Sequence, residues 1–160
     1  MTYPYPANII PIAEEVISRI QAAGATFSTP VDPSNVYYGD QDRIPATPSI
    51  CIDPGDKTRS LAGAPNMTLN EFEIYVIIYH NKIQEMQLTR KEADQLAYEV
   101  EFMLHQDLQL KTNPSDVNSG LLIHGFVNKV EPGYTTKANT TYRSTRLTYY
   151  GQNKTSLPTA

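Results

Sequence analysis

The sequence predicts an α+β domain: two helices packed on one face of a mainly antiparallel sheet, in the order helix, strands, helix, strand, strand. Three observations carry this. Two segments place apolar residues at helical spacing; the stretch "FEIYVIIYHN", residues 72 to 81, alternates as a strand; and the last third holds two runs rich in β-branched and aromatic residues. A chain of 160 residues is one domain by length and buries a core without disulfides or a structural metal. We place that domain at residues 1–150 and read the polar 151–160 as a disordered tail.

In chain order, "NIIPIAEEVISRIQAAG" puts Ile9, Ile12, Ala13, Val16, Ile20 and Ala23 on one stripe. Asn8 caps this helix, Pro11 sits in the first turn where amides lack partners, and Gly24 suits a left-handed position past its end. Prolines 30, 33, 45 and 48 then break the text, leaving "NVYYGD" as a strand-like island. "PSICIDPG" reads as a strand started by Pro48 and turned off by Pro54-Gly55. The segment "DKTRSLAGAPNMTLN", from Asp56 to Asn70, is too long for a tight turn and reads as an extended arm.

The strand "EFEIYVIIYHNK" follows, sending Phe72, Ile74, Val76 and Ile78 to one face and Tyr75, Ile77 and Tyr79 to the other. Neither face is made for water. The helix "MQLTRKEADQLAYEVEFMLHQDLQL" opens on a capping box, Thr89 with Glu92, and turns Ala93, Leu96, Ala97, Val100, Leu104 and Leu108 inward. Tyr98 and Phe102, four apart, form a second patch off that stripe. "LLIHGFVNKVEPG" and "TTYRSTRLTYYG" read as an antiparallel pair joined around Pro132-Gly133.

Composition narrows the function classes. Charged residues are only 19%, while 12 prolines and 11 tyrosines point to loops and contact surfaces. A net charge of −4 with scattered Lys and Arg argues against a sequence-independent grip on phosphate. The start "MTYPYPANII" has no signal-peptide pattern, and no run approaches the roughly 20 apolar residues of a membrane helix.

Catalytic, cofactor and metal sites are not expected. His80, His105 and His124 stand on separate elements without metal-ligand spacing, His105 reading as a solvated or interhelical residue and His124 as a half-buried strand residue. Cys51, between Ile50 and Ile52, reads as a small buried strand residue, and no Gly-x-Ser-x-Gly elbow occurs. Glu71 and Glu73 at a strand entrance read as charges that discourage aggregation, and "DPGDKTR" as a turn without phosphate-loop spacing.

The layout resembles the tail-terminator proteins of long-tailed bacteriophages over residues 5 to 150. The N-terminal amphipathic helix, the proline-broken stretch to "SICIDPG", the long arm, "EIYVIIYHNK", a second helix and a closing hairpin carry it. The resemblance implies a virion protein of the neck, assembled in the host cytoplasm as a hexameric ring that caps the tail tube and stops its polymerisation. Its partners would be the tail tube protein and head-tail connector proteins, with DNA only passing through. The arm, with Lys57 and Arg59, would touch the tube or a neighbouring subunit.

Tyr75, Ile77 and Tyr79 are candidates for a face covered by the next subunit, because a heterologous contact closes into a ring when its rotation closes. The Tyr98 and Phe102 patch is a further candidate. The competing reading sandwiches the strand within its own domain, between the helices and the proline-rich segment. Alternative functions are another head-tail connector or head-completion subunit, and a small ligand-binding protein or enzyme.

Overall fold

The computed structural model describes residues 5–63, 66–83 and 89–156. Helix α1 (Ile10–Ala23) leads through two 3-10 turns into β1 (Val36–Tyr38), β2 (Ser49–Leu61) and β3 (Met67–Lys82), followed by α2 (Arg90–His105), β4 (His124–Lys137) and β5 (Thr140–Ser156). The protein is α+β with a five-stranded mixed sheet, ordered β1-β2-β3-β5-β4. Among the described strands, the short β1 runs parallel to its neighbour and the other pairings are antiparallel. The chain order differs from the expected one by the two 3-10 turns between α1 and β1.

Both helices bury their apolar stripes against one sheet face. Ile12, Val16 and Ile20 of α1 and Leu96, Val100 and Leu104 of α2 meet Ile50, Ile52, Phe72, Ile74, Val76 and Ile78. Burial of such side chains, at about 25 cal/mol per Å² of apolar surface, is the main term holding the layers together. Thr89 caps α2 by accepting from the Glu92 amide at 3.2 Å. At α1 the Asn8 carboxamide accepts from the Ile10 amide at 2.7 Å.

Gly24 is not left-handed: its φ of −55° carries α1 on into a 3-10 turn. A Cβ there would lie 2.4 Å from the Val31 carbonyl oxygen. The position demands glycine for close backbone approach rather than for a special φ. At the other helix, α2 stops at His105, so Leu108 is half exposed instead of core, and Leu110 turns back to fill the interior.

The arm is a sheet extension. β2 does not end at Pro54-Gly55; it passes through a bulge there, where a missing amide and a disturbed ladder are tolerated, and pairs onward from Lys57 opposite Phe72 to Leu61 opposite Thr68. The presumed disordered tail contributes too, since Gly151–Ser156 belongs to β5 and pairs with Met67–Phe72. The interior of this extension is polar. Asn70 donates to Asn153 and to Thr155, each at 2.9 Å, and Asn153 donates to the carbonyls of Pro6 and Leu121.

The closing hairpin does not turn at Pro132-Gly133 either. Those residues lie within β4, an edge strand where proline costs little, and the turn is Ala138-Asn139, both at positive φ as a two-residue hairpin turn requires. His105 is neither solvated nor interhelical: its Nε2 accepts from the Val127 amide at 2.9 Å, satisfying an edge-strand donor beside the β4 bulge.

Candidate functional site

The sheet face turned away from the helices has two ends that are built differently. At one end the proline-rich segment lies across the strands. Ile44 packs with Cys51, Tyr79 and Tyr142; the Tyr79 hydroxyl donates to Asp40 at 2.6 Å; and Lys137 pairs with Asp40 at 2.7 Å. Burial pushes the Cys51 thiol up to about 11, so it is protonated and inert near neutral pH.

At the other end the face carries a mosaic of aromatic and charged side chains. Register sets it: Glu73 lies beside Tyr150 and Tyr150 beside Phe126, while Glu71 lies beside Gln152 and Gln152 beside His124. Phe126 and Tyr150 meet edge to face at 5.8 Å between centroids, and His124 stacks on Phe126 at 6.3 Å. Gln152 donates to Glu71 at 3.2 Å and to the Tyr150 hydroxyl at 2.7 Å, and the Tyr75 hydroxyl donates to Glu73 at 3.3 Å.

Arg146 lies over the Tyr75 ring, 4.9 Å from its centroid, while its guanidinium bonds Glu131 at 2.9 Å. That hydrogen bond holds the Glu131 carboxyl below its ordinary range. Desolvation, then the charge of Glu73, raises the Tyr75 phenol, which stays protonated as a donor.

The expected contact residues therefore fall on three surfaces. Tyr75 and Ile77 lie half-buried on the outer face. Tyr79 is fully buried beneath Ile44, so it is not available as an assembly residue. Lys57 and Arg59 lie on the opposite side of the arm, with Lys57 bonded to the Ala7 carbonyl and 5.8 Å from the Phe72 ring centroid. Tyr98 and Phe102 stack on the solvent side of α2, 58% and 54% exposed. They border a cleft of about 280 Å³ shared with Phe27 and Met103.

Sequence reading missed Phe126, Tyr150, His124 and Arg146 as partners of Tyr75 and Glu73. The signal was alternation in "HGFVNKV" and "RLTYYGQ", but which face each residue joins depends on strand order and on the β4 bulge. Among the described residues no group of three or more His, Cys, Asp or Glu is placed to hold a metal ion. No described helix is long and apolar enough to cross a membrane. The outer face presents aromatic rings, a stacked cation and carboxylates on paired strands.

No protein-family model and no curated protein matches the chain.

Proposed function

We propose that this chain is a structural virion subunit, a phage tail terminator that forms a ring on the tail tube, stops its growth and presents the surface for head joining. The observation that carries this reading is the end of the outer sheet face that, among the described residues, the proline-rich segment does not cross. Tyr75, Phe126 and Tyr150 present aromatic ring area on paired strands, with Ile77 at the border of the Ile44 cluster, and neither helix lies on that side. Phe126 alone is 38% exposed. Such a surface is the kind a neighbouring subunit covers, aromatic residues being favoured at contact cores. The site needs no cofactor for this role, and DNA would pass through the ring without specific recognition.

The test is a tube-capping assay. Purified protein is added to polymerising tail tube subunits, and tube length and end structure are followed by electron microscopy. Rings at one tube end and shortened tubes are the expected result; tubes of unchanged length with bare ends overturn the proposal. Binding to portal-side connector proteins in place of tubes would reassign the chain to head completion.

A further inference from the structure

The arm is basic on one side and mainly acidic on the other. Cα partners in an antiparallel pair share a face, so Lys57, Arg59 and Leu61, opposite Phe72, Asn70 and Thr68, lie on the helix side of the sheet. Contacts agree with the register: Lys57 approaches the Phe72 ring, and Arg59 donates to the Asn70 carboxamide at 3.2 Å. Glu71 and Glu73 face the other way, as does Asp53 opposite Tyr75; Lys154, opposite Leu69, is a cation on that same side.

Some charges of the domain are paired, as in Arg19 with Asp107, Lys137 with Asp40 and Arg146 with Glu131. Among the described residues, no cation lies within 4.0 Å of Asp53, Glu71 or Glu73, and no carboxylate within 4.0 Å of Lys57 or Arg59. The apolar groups are split likewise, with Tyr150 and Phe126 beside the acidic side and Leu61, 78% exposed, on the basic side.

We propose that the occupant of the acidic, aromatic side is the basic side of the arm of a second copy of this chain. The contact is front to back. Glu71 and Glu73 of one copy receive Lys57 and Arg59 of the next, and Leu61 seats against the Tyr150 and Phe126 rings. Each copy keeps a free front and a free back, so the contact is heterologous and propagates until its rotation closes a ring. The inference rests on the assembly reading above and specifies which surfaces meet.

Charge exchange tests it. The double variant Glu71→Lys/Glu73→Lys and the double variant Lys57→Glu/Arg59→Glu are compared with the parent by mass photometry at low and moderate salt. Each variant alone is expected to lose self-association by tenfold or more, because like charges then meet across the contact. An equimolar mixture is expected to recover it as alternating copies, which also shows that both variants fold. Added salt weakens the parent contact. If the parent assembles but the variants assemble equally well, or the mixture is not rescued, the front-to-back contact is wrong while the assembly reading stands. A parent that stays monomeric at every soluble concentration, and leaves tubes uncapped, removes both.

Discussion

His80 makes acid stability a quantitative test of the fold. Its ring is 1% exposed; Nε2 lies 2.8 Å from the Thr145 hydroxyl, and Nδ1 has no hydrogen-bond partner among the described residues. Desolvation first, then the positive charge of Arg143, drives its pKa from 6.5 to about 4, against a smaller opposing effect of Asp94. Between those values the unfolded chain binds a proton that the folded one refuses, so stability falls as pH falls through the window. Each pH unit changes the balance by at most about 1.4 kcal/mol, and the window therefore costs about 3 kcal/mol, a large part of a typical domain's 5–15 kcal/mol. Urea unfolding of the parent and of His80→Gln, from neutral pH down to about pH 4, reads this directly. Glutamine keeps a donor for Thr145 but does not titrate. The variant starts less stable, and the gap is expected to close by about 3 kcal/mol on acidification, while carboxylates common to both proteins cancel. Parallel curves would refute the assignment of a buried, neutral His80.

Two further substitutions probe the parts of the fold that hold the outer face in place. Asn153→Ala leaves the buried Asn70 amide without its Asn153 acceptor and the carbonyls of Pro6 and Leu121 without their donor; a loss of about 2–3 kcal/mol is expected in equilibrium unfolding. Ile44→Ala withdraws the side chain that covers Cys51, Tyr79 and Tyr142, and is expected to cost about 2 kcal/mol and to speed maleimide labelling of Cys51 at least tenfold, while unchanged labelling would show that the segment is held by other contacts.

Both helices and the inner face of β3 were legible in the sequence because their signal is local. The stripe of Ile12, Val16 and Ile20, the Thr89 cap and the alternation of Phe72, Ile74, Val76 and Ile78 depend only on residues a turn or a pleat away. The arm was misread for the converse reason. Its inward positions, Thr68 and Asn70, are polar, so no apolar alternation marks the strand; what buries them is Thr155 and Asn153, more than 80 residues later in the chain. The same distance hid strand 151–156, which has no strand character until β3 lies beside it.

The outer face was half legible. Tyr75, Ile77 and Tyr79 share one side by simple alternation, but their fates diverge. Ile44 and Asp40 arrive over Tyr79 from a segment whose course no local pattern specifies, whereas Tyr75 receives Arg146 from β5 and, among the described residues, no such cover. Sequence alone determined which residues point away from the helices. Only the tertiary structure decided which of those the chain covers itself, because the sheet order β1-β2-β3-β5-β4 and the path of residues 39–48 are set by packing between distant segments, where burial and hydrogen bonding are summed over the whole domain.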